Sequence, residues 1–184
     1  MSDLTEKTLS SKRVYEGKII NLRIDTVTLP GGRTGTREVV EYAGAVAVVP
    51  VNKKSELLLV RQYRHAVGKT LLEIPAGKLE PGEDPPVSAG RELLEETGYE
   101  AEHLRPLIRF YSTPGFTTEE LHLFLATGLT LKKQNLDEDE FIDVVPVPFK
   151  RALEMIWAGE IRDAKSVAGI LAVHNLKDKP AEIF

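Results

Sequence analysis

The sequence predicts an α+β fold, because strand patterns and helical patterns follow one another in mixed order along the chain. Short apolar runs bounded by turn residues recur from residue 13 to residue 146, an amphipathic helix pattern interrupts them at 84–97, and two helix patterns follow them. With 184 residues, 42% of them hydrophobic, the chain can fill the core of one domain with a small appended subdomain.

The first part of the chain predicts a small β-sheet. Strand patterns cover residues 13–15, 19–29 and 37–42, with a Pro-Gly-Gly turn between the last two. We therefore predict an N-terminal β subdomain at 1–42 and a main domain at 43–184. Because a few short strands bury little surface alone, pairing with a second chain would stabilise them, and we expect a homodimer.

The main domain begins with two apolar strands, 45–51 and 57–62, which we expect to form a hairpin around residues 52–56. A short strand at 71–74 then delivers the chain to a loop and the helix. The elements predicted after this helix are strands at 104–111, 120–127 and 142–146, and helices at 149–158 and 165–175. Apolar spacing in the last helix indicates packing against the core.

The helix at 84–97 has clear start and stop signals. Asp84 can cap it, Pro85 suits its first position, and Gly98 suits the left-handed residue after its end. At helical spacing its apolar residues share one face, and the other face carries a cluster of carboxylates from Glu92, Glu95 and Glu96.

Like charges at this spacing repel each other by about 0.2 to 0.5 kcal/mol per pair, so a positive group should lie nearby. Arg91 can reach Glu95 or the upstream Glu83, but it cannot neutralise the whole group. A hard divalent cation with oxygen ligands would complete the site. The alternative is that adjacent glutamates on a helix are only a solvated surface.

The segment from Gly77 to Tyr99 resembles the Nudix box, G-x5-E-x7-R-E-U-x-E-E-x-G-U. Every fixed or aliphatic position before the last one matches, through Gly77, Glu83, Arg91, Glu92, Leu93, Glu95, Glu96 and Gly98. Tyr99 stands where the family usually has an aliphatic residue, and an aromatic side chain can still pack there. The resemblance implies the Nudix fold, a mixed-sheet α/β/α sandwich. It also implies a hydrolase of nucleoside diphosphates linked to another group, with Mg²⁺, or Mn²⁺ as a substitute, as cofactor.

Two features outside the box are similar to the ADP-ribose pyrophosphatase branch of this family. One is the sequence from Glu73 to Glu80, in which the branch uses the carbonyl oxygen of the residue matching Ala76 as a metal ligand. The other is Pro114, fifteen residues after Tyr99, although a Pro-Gly turn between strands explains that dipeptide equally well. The box implies Glu92 and Glu96 as metal ligands, with Glu95 as a further catalytic carboxylate.

The acidic run at 137–140 resembles the branch's mobile catalytic loop. The resemblance implies that Glu138 is the base that activates water and that Glu140 is a metal ligand. A glutamate can serve as this base because a nearby cation lowers the pKa of water. The alternative for such a run is a solvated loop.

The remaining candidates concern the substrate. Arg64 matches the family's phosphate-binding arginine, and the alternative is that Arg61 and Arg64 pair with acidic side chains. Arg37 and Glu41 are implied to contact adenine and phosphate from the partner subunit. The turn residues implied beside the substrate are Pro114, Gly115 and Phe116. The aromatic residues that could stack on adenine, with none singled out, are Tyr15, Tyr42 and Phe116.

Composition excludes several classes of function. The net charge of −4 disfavours nucleic-acid binding, and the lack of cysteine excludes disulfides and thiolate metal sites. The polar first residues lack the apolar core of a signal peptide, and no apolar run is long enough to span a bilayer. We expect a cytoplasmic protein with no membrane partner.

These inferences together predict Mg²⁺-dependent hydrolysis of ADP-ribose, or a close ADP-sugar, to AMP and ribose 5-phosphate. The alternative within the family is hydrolysis of another nucleoside diphosphate sugar or a dinucleotide. The alternative of another class is a non-catalytic Nudix-fold sensor. The chain keeps every carboxylate of the box, which argues against a sensor.

Overall fold

A computed structural model of the protein describes residues 3–176. The strands are β1 (Lys7–Glu16), β2 (Asn21–Thr28), β3 (Thr34–Glu41), β4 (Ala45–Pro50), β5 (Glu56–Arg64), β6 (Lys69–Glu73), β7 (Ala76–Lys78), β8 (Tyr99–Tyr111), β9 (Glu120–Leu131) and β10 (Asp143–Pro148). The helices are α1 (Pro85–Thr97), α2 (Phe149–Trp157) and α3 (Ala164–Leu176). No helix in this described part of the chain is long and apolar enough to cross a membrane.

The described chain separates into two compact units. The first comprises the chain up to Gly44 together with Tyr111–Glu120, and the second comprises Ala45–Phe110 and the chain from Leu121 onward. The first unit is an antiparallel sheet in the order β1-β2-β3. β1 begins at Lys7, well before the predicted residue 13, because pairing with β2 holds this polar stretch extended without an apolar pattern of its own.

Tyr111–Glu120 joins the first unit through backbone hydrogen bonds to the end of β3. The Val40 amide donates to the Phe116 carbonyl at 2.7 Å, and the Thr118 amide donates to the Val40 carbonyl at 3.0 Å. The Thr118 hydroxyl also accepts from the Tyr42 amide at 2.9 Å. The turn that contains Pro114 is thereby fixed to β3 within this unit.

The second unit contains two sheets, and the predicted hairpin is wrong. β4 lies in a four-stranded sheet of order β7-β4-β9-β8, parallel to β9, whereas β5 lies in an antiparallel sheet of order β10-β5-β6. The two strands share only an isolated bridge between Val51 and Leu57. Both strands are apolar on both faces, so each is better buried between partners of its own sheet than in a two-stranded hairpin.

The packing on the two faces of β4 shows how the layers of this unit are arranged. All of its residues are buried, and alternate side chains of a strand point to opposite faces. Val46 and Val48 pack with Leu93 of α1, whereas Val49 lies against Gly169 of α3. The two helices therefore cover opposite faces of the sheet, which is the predicted α/β/α arrangement.

Candidate active site

Helix α1 begins and ends where its sequence predicts, but Asp84 does not cap it with its side chain. Pro85 and Pro86 occupy the first two positions, so the second position has no N–H for a cap to bind. The Val87 amide instead donates to the Asp84 backbone carbonyl at 2.9 Å. At the other end Gly98 adopts the left-handed conformation with φ of 73°.

Strand β7, which sequence reasoning treated as loop, places the backbone beside α1. It pairs antiparallel with β4, with Ala76 opposite Ala47. Gly77 lies directly under the Glu92 carboxyl group, since a Cβ on Gly77 would be 1.9 Å from the Glu92 Cδ. A side chain at Gly77 would displace that carboxyl group from its present position, which gives the first glycine of the box a physical reason.

Glu96 is buried, with 3% of its surface exposed. Its Oε2 accepts a hydrogen bond from the Ala76 amide at 3.1 Å, so two of the predicted metal-binding residues lie together. Burial raises the pKa of Glu96 to about 8. Repulsion from Glu92 and Glu140 also raises this pKa, whereas the hydrogen bond from the Ala76 amide lowers it. A cation near this carboxyl would reverse the shift.

Arg91 provides a positive charge beside the glutamates of α1. Its guanidinium donates to both Glu83 oxygens at 2.9 Å, to Glu92 Oε1 at 2.8 Å and to Glu95 Oε2 at 2.9 Å. The sequence predicted that it could reach Glu83 or Glu95, and it binds both at once. These bonds hold the pKa of Glu83 at about 2. The pKa of Glu92 is raised by burial and by Glu95, although Arg91 lowers it.

We name Glu83, Arg91, Glu92, Glu95 and Glu96 the helix cluster. Its four carboxylates share one guanidinium, which pairs with Glu83, Glu92 and Glu95, so carboxylates outnumber cations in the cluster by three. Its oxygen donors suit a hard divalent ion, which fits magnesium. Within residues 3–176 no three acidic, His or Cys side chains stand at metal-binding spacing. Glu92 and Glu95 accept hydrogen bonds from Arg91, and Glu96 accepts one from the Ala76 amide. These bonds direct the three carboxylates to two separate donors, which accounts for the lack of metal-binding spacing among them.

Residues 137–140, which we name the acidic loop, form a turn that is closed by two hydrogen bonds. The Glu140 amide donates to the Asp137 carbonyl at 3.0 Å, and the Asp137 amide donates to Glu140 Oε2 at 3.3 Å. Glu138 is exposed at the tip of this turn. Glu140 lies near enough to the helix cluster to raise the pKa of both Glu92 and Glu96. The structure thus places Glu140 within electrostatic range of the cluster and leaves Glu138 exposed.

Arg64 belongs to a second charged group that sequence reasoning missed. Its Nε and Nη2 donate to the Glu73 carboxylate at 3.1 and 2.7 Å, and Lys165 Nζ donates to the same carboxylate at 2.7 Å. Lys165 also donates to Asp163 Oδ1 at 2.9 Å. Burial would raise the pKa of Glu73, but Arg64 and Lys165 outweigh it and lower the pKa. We name Arg64, Glu73, Asp163 and Lys165 the Glu73 cluster.

The other substrate candidates lie in the first unit. Arg37 is exposed and donates to Glu6 and to the Thr36 carbonyl. Glu41 accepts from Arg13 and Arg23, both at 2.7 Å, and sequence reasoning named neither arginine. Arg61, which was considered together with Arg64, lies in the second unit and pairs there with Asp143 at 2.7 Å. Charged pairs across strands follow from sheet register, which the sequence did not supply.

The turn at Pro114, Gly115 and Phe116 also lies in the first unit. The Phe116 amide donates to the Thr113 carbonyl at 3.2 Å, as in an ordinary turn. Phe116 and Tyr15 are 55% and 56% exposed, so both rings are available for stacking. The roles of these residues stay predictions.

Two family models match the chain. One described as NUDIX domain matches residues 41–169, and one described as nucleoside diphosphate sugar hydrolase N-terminal domain matches residues 6–40. The chain is 46% identical over 168 residues to a methanol dehydrogenase activator of Bacillus methanolicus, covering 90% of each chain. It is 44% identical over 172 residues to an ADP-ribose pyrophosphatase of Bacillus subtilis strain 168, covering 92% of this chain and 93% of that one.

A crystal structure described as an ADP compounds hydrolase aligns with a TM-score of 0.86, covering 97% of each chain at 22% identity. At that identity the likeness shows the fold alone, and it confirms the predicted α+β Nudix fold. The NUDIX domain match covers most of the chain and includes the whole helix cluster. The chain therefore belongs to the Nudix family.

Proposed function

We propose that the protein hydrolyses the diphosphate of ADP-ribose, or of a close ADP-sugar, to AMP and ribose 5-phosphate, with Mg²⁺ as cofactor. The observation that carries the proposal is the helix cluster, in which four carboxylates share the single cation Arg91. A diphosphate substrate needs a cation because its oxygens repel the attacking water. The 44% identity to an ADP-ribose pyrophosphatase supports the choice of substrate.

The metal would be held by Glu92, Glu96, Glu140 and the Ala76 carbonyl oxygen. The bound ion supplies charge to neutralise the phosphate oxygens and lowers the pKa of the attacking water. Glu96 and Ala76 are already in contact, with 3.1 Å between the Glu96 Oε2 and the Ala76 nitrogen. Glu95 holds Arg91 in place at 2.9 Å and serves as the further catalytic carboxylate.

The remaining steps belong to Glu138 and Arg64. Glu138 would take the proton from the attacking water, and its side chain is exposed at the tip of the loop. Arg64 orients the diphosphate. Because Glu73 engages its Nε and Nη2, we assign the phosphate contact to Nη1.

We propose that Arg37, Glu41, Pro114, Gly115 and Phe116 contact the adenosine part of the substrate in a homodimer. The first unit carries exposed apolar side chains that a second copy would cover; among them are Leu9, Val14, Tyr15 and Ile19. We also propose that the enzyme is cytoplasmic and acts on a small substrate, in keeping with its net charge of −4.

Another nucleoside diphosphate sugar is the second candidate substrate. Relatives at 46% and 44% identity carry different descriptions, so identity alone does not fix what is hydrolysed. The box determines the chemistry of the diphosphate and is silent on the group beyond it. A sensor without turnover is disfavoured by the complete set of carboxylates in the helix cluster.

The test is turnover with Mg²⁺ on ADP-ribose beside ADP-glucose, reduced dinucleotide, diadenosine polyphosphates and nucleoside triphosphates, with AMP resolved by chromatography. We expect AMP to be released preferentially from ADP-ribose. Preference for another substrate would replace ADP-ribose and keep the metal mechanism. Lack of turnover on every substrate, with metal bound, would favour the sensor.

The base is tested separately with Glu138→Gln, Glu140→Gln and Asp139→Asn. We expect Glu138→Gln to lower kcat by about a hundredfold or more, the usual contribution of a general base. If Glu138→Gln has little effect and Asp139→Asn disables the enzyme, the base is Asp139.

A further inference from the structure

The C-terminal end of α1 is bound by a segment that follows β9. The last carbonyl groups of a helix have no partners within the helix and must find them elsewhere. Here the Glu95 carbonyl accepts from the Asn135 amide at 3.1 Å, and the Glu96 carbonyl accepts from the Gln134 side-chain amide at 2.5 Å. Two residues of the helix cluster are thus held through their backbones by consecutive residues.

The chain from Lys132 to Asn135 lies close to the C-terminal end of α1. The Lys132 amide donates to the Gly98 carbonyl at 2.7 Å, and a Cβ on Gly98 would lie only 2.9 Å from the Gln134 backbone nitrogen. Gly98 is therefore needed for its left-handed conformation and for this approach. We name residues 132–135 the anchor segment.

The anchor segment leads directly into the acidic loop. Glu138 comes three residues after Asn135, and a chain extends by at most about 3.5 Å per residue, so the Glu138 Cα stays within about 10 Å of the Asn135 Cα. At its other end the loop enters β10 at Asp143, which pairs with Arg61 of β5. The loop is thus tethered at one end to the helix that carries the metal-binding carboxylates.

We propose that Gln134 is a positioning residue, whose side-chain amide fixes the start of the acidic loop to the end of α1 and so sets where Glu138 and Glu140 meet the helix cluster. This inference rests on the proposed function for the roles of the two loop glutamates. Its physical part, the tether, stands on the hydrogen bonds alone.

Substitutions of Gln134 can distinguish a role of its side-chain hydrogen bond from a role in simple packing. The backbone bonds from Lys132 and Asn135 do not use the Gln134 side chain, so the Gln134 amide is the part that a substitution removes. Methionine has a similar length and no donor. Lysine keeps a donor and adds a positive charge, which suits the negative end of a helix dipole.

The experiment compares Gln134→Met and Gln134→Lys with the wild type. Asn175→Ala is the matched control, because Asn175 also donates its side-chain amide to a helix carbonyl, that of Leu171 at 2.9 Å. In metal-free protein we expect the Asn135 amide to exchange its hydrogen about fivefold faster in Gln134→Met, the effect of losing a hydrogen bond of ordinary strength. With ADP-ribose and Mg²⁺ we expect Gln134→Met to lower kcat by about ten- to a hundredfold, because small misplacements of catalytic groups cost this much.

KM should change much less than kcat, since Gln134 is not proposed to touch the substrate. Gln134→Lys should restore both exchange and kcat to within about threefold of the wild type, because the donor is retained. Asn175→Ala should leave both unchanged. Unchanged exchange at Asn135 in Gln134→Met would overturn the tether. A normal kcat despite faster exchange, or equal loss in Gln134→Lys, would overturn the positioning role.

Failure of the proposed function gives a different result. If the wild type hydrolyses no substrate, the assignment of Glu138 and Glu140 falls, and the positioning role of Gln134 falls with it. The exchange measurement then still decides whether the anchor segment is tied to α1.

Discussion

The helix cluster and the Glu73 cluster are both groups of charged side chains in the second unit. Only the Glu73 cluster has equal numbers of positive and negative groups. In the Glu73 cluster two cations, Arg64 and Lys165, face two carboxylates. In the helix cluster Arg91 alone faces four. Both clusters include a glutamate that is at most 3% exposed, so burial does not explain the difference.

The pKa shifts follow the balance of charge. Glu73 is buried, yet its pKa is lowered because Arg64 and Lys165 outweigh the effect of burial. Glu96 is also buried, and its pKa is raised to about 8 because nothing of comparable strength compensates. Removing one member of a balanced buried cluster leaves an uncompensated charge, whereas the unbalanced cluster is the proposed site of an added cation.

The largest effect that would test this contrast is on stability. Glu73→Gln should lower the free energy of unfolding by about 3 kcal/mol, at the low end for a broken buried ion pair, because Arg64 is 40% exposed and can be hydrated. Chemical denaturation measures the change. The control Glu154→Gln removes an exposed carboxylate paired with Arg151, and it should change stability by less than about 0.5 kcal/mol. Equal effects of the two variants would remove the structural role of the Glu73 cluster.

The corresponding change in the helix cluster should act on catalysis and spare the fold. Glu96→Gln removes a proposed metal ligand, and we expect turnover to fall by about a hundredfold or more, the scale for one lost transition-state electrostatic element. Steady-state kinetics and thermal unfolding on the same preparation measure both. Near-normal turnover would contradict the metal assignment of Glu96.

A smaller effect should separate the two cations of the Glu73 cluster. Lys165→Met should destabilise the protein by about 1.5 kcal/mol, the lower range for a hydrogen bond to a charged group, because Arg64 still holds Glu73. Lys165→Arg should recover most of this loss. Denaturant midpoints provide the comparison, and a loss in Lys165→Met as large as that in Glu73→Gln would show that Arg64 contributes nothing.

The pH dependence of the metal-free protein tests the same contrast. The pKa of Glu96 rises from its ordinary value of 4.5 to about 8 on folding, so the folded protein holds this proton more tightly than the unfolded chain does. Its contribution to stability must fall as the pH rises from about 4.5 to about 8. Thermal unfolding in EDTA should therefore show Glu96→Gln gaining on the wild type over this range. A constant difference in Tm between them would contradict the raised pKa.

Local signals in the sequence predicted the helix cluster well. The bounds of α1 follow from Pro85 and Gly98, and the pairing of Arg91 with Glu95 follows from helical spacing. The two faces are only partly as predicted, since Val87 is exposed and Glu96 is buried. Each of these signals acts within one or two helical turns, so no knowledge of the rest of the fold was needed.

Features that depend on distant parts of the chain escaped prediction. β7 has only three residues and exists because β4 lies beside it, and the hairpin of β4 with β5 failed because each strand found partners elsewhere. Glu73 is a single acidic residue at the end of an apolar strand, and its partner Lys165 is 92 residues away. No periodicity in the sequence links the two.

We propose that the helix cluster, with its unbalanced charge, is a binding site for a divalent cation. Calorimetric titration of Mg²⁺ into the metal-free wild type and into Glu96→Gln tests it directly. We predict binding to the wild type and an affinity at least about tenfold weaker in Glu96→Gln, since even changes around a metal's ligands have effects of this size. Equal affinity of the two proteins for Mg²⁺ would contradict the account.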